Sequence, residues 1–226
     1  MTIAAAQPQD RPPFVRRELT LFTVAVGFLT RLPVPRLSGY QPAWLARSAR
    51  YFPLVGVIVG VINAGAWWLA NQWLPNTVSV GLMLAASLLV TGAFHEDGFA
   101  DACDGFGGGG SAAQVLAIMK DSRIGAYGAI GIFMLLGLKW STLAATPPAA
   151  LPLLVVTAHM MSRWCACGLL WRLRYVRDGE EGKARPFAEG LLAGEWFAGG
   201  AVGAVGAAGA LAIPGVIDEP APKVSE

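Results

Sequence analysis

Residues 94–106 combine four acids and a histidine in a pattern that could bind a metal ion. The segment reads Phe-His-Glu-Asp-Gly-Phe-Ala-Asp-Ala-Cys-Asp-Gly-Phe and directly follows a long apolar run. Asp97, Asp101 and Asp104 are spaced i, i+4 and i+7, which on a helix places the three carboxylates within about 60° of arc. Three like charges on one face repel each other, and a divalent cation between them would remove that repulsion.

The oxygen ligands of this segment favour Mg²⁺ or Mn²⁺ over zinc. Glu96 lies about 100° from the centre of the three aspartates and is a candidate for an outer ligand of the same metal. His95 is a candidate general base, the alternative being a structural histidine where the helix begins. A solvated helix face is the other interpretation of the three aspartates, but the residues between them (Phe99, Ala100 and Ala102) are too apolar for it.

A glycine-rich stretch and a second polar segment follow the acids. Gly107 and Gly108 belong to a run of four glycines that could let backbone approach an anionic ligand, the alternative being a flexible turn. Lys120 and Arg123 could hold phosphate oxygens, and Asp121 could add a metal ligand. The alternative for this segment is a charged flank that anchors the next helix.

The composition is that of a membrane protein. Of the 226 residues, 54% are hydrophobic and 14% are charged, against about 25% charged in soluble domains. The net charge of +2 supports no nucleic-acid partner. Three cysteines are too few for a disulfide framework. The chain is therefore predicted to lie in a lipid bilayer as a single all-α domain.

Five apolar segments are long enough to cross a bilayer core of about 30 Å. We predict a polytopic helix bundle over residues 19–214, with a disordered tail over 1–18 and a polar tail over 215–226. The segment 19–30 is too short to span and is predicted to be re-entrant or interfacial. Whether the chain forms a homo-oligomer is left open. The predicted spans are 51–74, 77–94, 125–146, 149–171 and 191–214.

The charges of the connectors predict the orientation. Every Lys and Arg except Lys139, Arg163 and Lys223 lies in the N-terminal tail or in the stretches 31–50, 95–124 and 172–190. The positive-inside rule places these stretches in the cytoplasm and the two uncharged connectors, 75–77 and 147–148, on the other side of the membrane. Lys139 and Arg163 fall inside predicted spans, where cations are costly. We expect Lys139 to snorkel, and Arg163, which shares a helix face with His159, to contact a phosphate from a polar groove.

Four segments of the chain resemble the cobalamin synthase (adenosylcobinamide-GDP ribazoletransferase) family. They occur in the family's order and cover residues 28 to 128. The acidic segment is the most specific of them, and Glu96, Asp97, Asp101 and Asp104 fall on its motif. Lys120, Asp121 and Arg123 fall on the family's second polar motif. The segments are 28–35, 51–56, 94–106 and 119–128.

The resemblance implies a Mg²⁺-dependent enzyme of the inner membrane of bacteria or archaea, with a cytoplasmic active site. In such enzymes the ribose hydroxyl of α-ribazole, or of its 5′-phosphate, attacks the phosphorus attached to the cobinamide of adenosylcobinamide-GDP. GMP then leaves. The family typically carries a Gly-Gly-x-Thr-Gly-Asp type of segment near its last helices, which does not follow Gly199-Gly200 here. We therefore expect low turnover.

Two other classes compete with this interpretation. A cation transporter would place acids inside the spans rather than cluster them at one mouth beside glycines and basic residues. A lipid enzyme similar to the CDP-alcohol phosphotransferases would carry Asp-Gly-x₂-Ala-Arg-x₈-Gly-x₃-Asp-x₃-Asp. The segment from Asp97 to Asp101 departs from that motif at the arginine and in the later spacing. Phosphotransfer at the cytoplasmic membrane face is the favoured prediction.

Overall fold

A computed structural model describes residues 13–173, apart from the side chains of Pro42 and Trp171. These residues form helices and no strand, as predicted. A 3-10 turn over Ala49–Tyr51 joins α2 to α3. The helices are α1 (Phe14–Leu29), α2 (Pro42–Ser48), α3 (Phe52–Ala70), α4 (Asn76–Thr91), α5 (Phe94–Gly108), α6 (Ala112–Ile118), α7 (Ala126–Ala144) and α8 (Leu151–Arg172).

Helices α3 and α8 form the closest pair in the described bundle. Two glycines on α3, Gly56 and Gly60, lie one turn apart and face α8. A Cβ on Gly56 would lie 2.5 Å from the carbonyl oxygen of His159, and one on Gly60 would lie 2.5 Å from the Cα of Val156. Small residues at this spacing let helix backbones approach closely, which is how helices gain packing energy in lipid.

The two uncharged connectors lie at the same end of the bundle. Asn76, at the start of α4, donates from Nδ2 to the carbonyl oxygen of Ala144 at 2.9 Å and accepts from Trp67 Nε1 at 2.9 Å. Trp140 Nε1 donates to the carbonyl oxygen of Thr77 at 2.7 Å. The ends of α3 and α7 therefore meet the start of α4. This confirms the prediction that residues 75–77 and 147–148 share one side.

Helix α1 begins at Phe14, inside the stretch that was predicted to be a disordered tail. Glu18 binds this part of the helix to the 3-10 turn that precedes α3. Its Oε2 accepts from Tyr51 Oη and lies 2.7 Å from Arg50 Nη2. Burial alone would raise the pKa of Glu18, but hydrogen bonds from Tyr51 and Arg17 and the charge of Arg50 lower it below its ordinary 4.5. Residues 1–12 lie outside the described chain.

Within residues 13–173, three helical segments are long and apolar enough to cross a membrane. They are Ala43–Ala70, Ala126–Ala144 and Leu151–Leu170. Helices α4 and α5 make a fourth only when the pair, bent by 90°, is counted as one span. The span predicted for 77–94 is thus corrected, because α4 ends at Thr91 and the chain turns there. The predicted span 191–214 and the tail 215–226 lie outside the described residues.

Candidate active site

A sharp turn after α4 sets the direction of the acidic helix. Gly92 has φ 64° and Ala93 has φ 56°, both in the left-handed region. The N–H of Ala93 donates to the carbonyl oxygen of Leu88 at 2.9 Å, which is the bonding pattern of a Schellman stop. The side chain of Arg31 fills the space beside Gly92. The axis of α5 therefore lies at 90° to that of α4, so the acids of α5 do not continue along the axis of α4.

Asp97 and Asp101 lie one helical turn apart on the same face of α5. The predicted helix is confirmed, since residues 94–108 are α-helical throughout. Asp97 is exposed and Asp101 is half-buried. Among the residues described, no three His, Cys, Asp or Glu side chains are placed to hold a metal ion by themselves. The three predicted carboxylates share a face but do not converge on one point.

Asp104 caps the next long helix. Its Oδ2 accepts from the N–H of Gly125 at 2.7 Å, and its Oδ1 accepts from the N–H of Gly128 at 2.8 Å. These N–H groups belong to the N-terminus of α7, where backbone donors lack helical partners and negative charge is favoured. The Asp104 carboxylate is therefore turned towards α7, and its predicted metal-ligand role stays a prediction.

Glu96 pairs with a cation from α7. Its Oε1 lies 3.5 Å from Lys139 Nζ, and its Oε2 is buried with no hydrogen-bond partner among residues 13–173. Lys139 is exposed and has Glu96 as a counter-charge, and its predicted snorkelling stays a prediction. His95, beside Glu96, is exposed and packs edge-on against Phe94 with the ring centroids 5.3 Å apart. Its predicted role as a base stays a prediction.

The second polar segment forms its own ion pair. The guanidinium of Arg123 donates to both carboxylate oxygens of Asp121, with Nη2 2.6 Å from Oδ2. Hydrogen bonds from Arg123 lower the pKa of Asp121 to about 2. Lys120 is exposed beside them. A phosphate ligand would have to compete with Asp121 for Arg123, whereas the Lys120 ammonium faces solvent.

Gly107 and Gly108 form the last residues of α5 rather than a loop. Both are exposed, and the ring of Tyr127 lies directly against Gly107. Their N–H groups lie inside the helix, so they are not a free nest for an anion. What the two glycines provide is a bare backbone surface at the end of the acidic helix.

Arg163 lies deep in the bundle, with 3% of its surface exposed. Its Nη1 donates to the carbonyl oxygen of His159 at 3.0 Å and lies 3.2 Å from His159 Nδ1. The predicted shared face with His159 is confirmed. Glu96 is close enough for its charge to act on Arg163. The acidic helix and the buried arginine thus belong to one polar region between α3, α5, α7 and α8.

Asn63 is the polar residue of this region that the sequence analysis missed. It is 1% exposed, and its Nδ2 lies 2.8 Å from His159 Nε2. The signal was present, since an amide inside an apolar span is costly unless it is hydrogen-bonded. Gly125 and Gly128, whose N–H groups donate to the Asp104 carboxylate, were also missed. Their spacing before an apolar run was the available signal.

The comparisons with known proteins agree with the sequence resemblance. Residues 21–220 match the family model of CobS, cobalamin-5-phosphate synthase. A protein of Shewanella sp. (strain ANA-3) called adenosylcobinamide-GDP ribazoletransferase is 44% identical over 176 residues, covering 76% of this chain and 67% of the relative. Proteins of the same name from Shewanella oneidensis and Shewanella baltica (strain OS155) are 45% and 43% identical, with the same coverage.

No solved structure matches the chain. The family model covers both the acidic helix and the polar region around Arg163. From the matched residues and the relatives, the chain belongs to the cobalamin-5-phosphate synthase family.

Proposed function

We propose that the chain joins adenosylcobinamide-GDP to α-ribazole, or to its 5′-phosphate, and releases GMP in cobalamin biosynthesis. The name of these relatives, adenosylcobinamide-GDP ribazoletransferase, describes a ribazole transfer to adenosylcobinamide-GDP. The observation that carries the proposal is that Asp97 and Asp101 share one face of α5, a helix bent by 90° from α4. The chain that carries this helix matches the family over residues 21–220.

The bond changes balance without a redox partner. The ribose hydroxyl oxygen forms a bond to the phosphorus attached to cobinamide, and the bond from that phosphorus to the oxygen of GMP breaks. The hydroxyl proton has to leave as the new bond forms. We propose His95 as the residue that accepts it, because the imidazole is exposed at the start of α5 and neutral near physiological pH.

We propose Mg²⁺ as the cofactor, bound by Asp97 and Asp101. Mg²⁺ is commonly held by one or two carboxylates together with substrate phosphates, so two carboxylates on one face fit it without a third protein ligand. When bound, the ion neutralises phosphate charge and stabilises charge on the transferring phosphorus. We propose Asp104 and Asp121 as supports of the site, because Asp104 binds the N-terminus of α7 and Asp121 holds Arg123.

Basic side chains complete the proposed site. Lys120 presents an exposed ammonium that can bind phosphate oxygens. Arg123 can bind the substrate phosphate when its guanidinium releases Asp121. The exposed backbone of Gly108 leaves room for a ligand at the end of α5, next to the Tyr127 ring that lies against Gly107. We propose that this site faces the cytoplasm from the inner membrane, because the charged connectors favour that side.

Product formation tests the proposal. The full chain, purified in detergent, is incubated with adenosylcobinamide-GDP, α-ribazole and Mg²⁺, and GMP and the cobalamin product are measured together. We expect equal amounts of both, and neither when either substrate is omitted. GMP without a cobalamin product would indicate hydrolysis and contradict the proposed transfer.

A further inference from the structure

Within residues 13–173, Arg163 is held at one corner of its guanidinium. Nη1 is bonded to the carbonyl oxygen of His159 and to Ser162 Oγ, at 3.0 and 3.2 Å. Nε and Nη2 are buried and have no hydrogen-bond partner in this part of the chain. These two nitrogens form the edge of a guanidinium that grips two oxygens of one phosphate or carboxylate in parallel. The protein therefore leaves unpaired the edge best suited to an oxyanion.

Contacts from two helices, α8 and α3, fix the position of this guanidinium. His159 lies between Arg163 and Asn63, with Nδ1 3.2 Å from the arginine and Nε2 2.8 Å from Asn63 on α3. The glycine at position 56 allows the contact, since a Cβ there would meet the side chain of Arg163 at 2.9 Å. Because α3 and α8 pack closely at this point, the arginine has little room to turn elsewhere.

Among the residues that the structure describes, Arg163 and Lys139 share the carboxylate of Glu96, which lies 3.5 Å from Lys139 and acts electrostatically on Arg163. Two cations beside one carboxylate leave one positive charge uncompensated in this part of the chain. A buried cation without an adequate partner is costly, and an entering oxyanion would remove that cost. Glu96 Oε2 has no hydrogen-bond partner among the described residues, so it does not occupy the Nε–Nη2 edge of Arg163.

We propose that the Nε–Nη2 edge of Arg163 binds a phosphate group of the substrate, and that His159 and Asn63 are positioning residues for it. The proposal rests on the proposed function and deepens it, because it assigns a second phosphate contact on the bundle side of the acidic helix. The phosphate belongs either to the diphosphate of adenosylcobinamide-GDP or to the 5′-phosphate of ribazole.

The kinetics of Arg163→Lys test this directly. Lysine keeps the charge but loses the two parallel donors, so we expect KM for the phosphate-bearing substrate to rise about tenfold. KM is measured for adenosylcobinamide-GDP, for α-ribazole and for α-ribazole 5′-phosphate with the purified full chain. A rise for adenosylcobinamide-GDP identifies the diphosphate. A rise for ribazole 5′-phosphate but not for ribazole identifies the 5′-phosphate.

Positioning is tested by Asn63→Leu and by paired variants of His159. His159→Leu should raise KM, and His159→Gln, which keeps an acceptor for Arg163, should show a much smaller rise. Thr157→Val is the matched control on α8, because Thr157 is buried but bonds only to its own helix, at the carbonyl of Leu153. Its kinetic constants should equal those of the wild type.

Unchanged KM for all three substrates in Arg163→Lys would overturn the proposal. If that variant does not fold, Asn63→Leu and His159→Leu decide, and unchanged KM in both overturns it equally. An equal loss of kcat in every variant, Thr157→Val included, would assign these residues to folding alone and contradict the proposal. A wild-type chain that releases no GMP would instead contradict the proposed function.

Discussion

Asp104 accepts a 2.7 Å hydrogen bond from the backbone N–H of Gly125, and this contact joins the acidic helix α5 to the start of α7. A second bond from Gly128 uses the other carboxylate oxygen. One acid of the motif thus binds unpaired helix donors and keeps its negative charge where the helix dipole favours it. By joining α5 to α7, the bonds of Asp104 also orient the face of α5 that carries Asp97 and Asp101.

We predict that Asp104→Asn lowers stability more than metal affinity. The amide keeps one acceptor but loses the charge and one backbone bond, which should cost about 1–2 kcal/mol. Unfolding in detergent with increasing denaturant measures the loss. The Mg²⁺ concentration for half-maximal GMP release should stay close to that of the wild type. An increase as large as that of Asp97→Asn would show that Asp104 is a metal ligand.

Gly60→Ala should destabilise the bundle. The new Cβ would lie 2.5 Å from the Cα of Val156, so α3 and α8 must separate. Such overpacking typically costs about 1–3 kcal/mol. Gly65→Ala is the control on the same helix, because its Cβ would meet nothing within 4 Å. The two midpoints of denaturation are compared, and equal midpoints would contradict the close packing.

The docking of α1 should weaken in acid. Because the pKa of Glu18 is lowered below 4.5 by Tyr51, Arg17 and Arg50, its contribution to stability is complete above pH 4.5 and is lost as pH falls through the folded value. The stability difference between the wild type and Glu18→Gln should be constant at higher pH and shrink below 4.5. A difference that grows in acid would contradict the contact.

Labelling of single cysteines tests the orientation. The three native cysteines are replaced, and one cysteine is introduced at position 110 or 148. We expect an impermeant thiol reagent to label position 148 from outside intact cells and position 110 only after the membrane is opened. The reverse pattern would contradict both the topology and the cytoplasmic site.

The sequence predicted the helices well and their side-chain partners poorly. The apolar runs 51–74, 125–146 and 149–171 correspond to α3, α7 and α8, because burial in lipid leaves a long and simple signal. The span at 77–94 was extended too far, since the left-handed turn at Gly92 and Ala93 is a local event inside an apolar run. Spacing within one helix found the aspartates and the pairing of His159 with Arg163.

Contacts between distant helices could not be read from spacing. The partners of Asp104, 21 and 24 residues away, depend on how α7 packs against α5. Asn63 and His159 are 96 residues apart and meet only because glycines bring α3 and α8 together. The departure after Gly199-Gly200, and the low turnover expected from it, concern residues outside the described chain.

The central claim is that Asp97 and Asp101 support the transfer from one shared face of α5. Release of GMP from adenosylcobinamide-GDP in the presence of α-ribazole is measured against Mg²⁺ concentration for the wild type, Asp97→Asn and Asp101→Asn. The loss of a carboxylate ligand should lower the rate by about 100-fold or more in each folded variant. Near-normal rates for both variants at saturating Mg²⁺ would contradict the account.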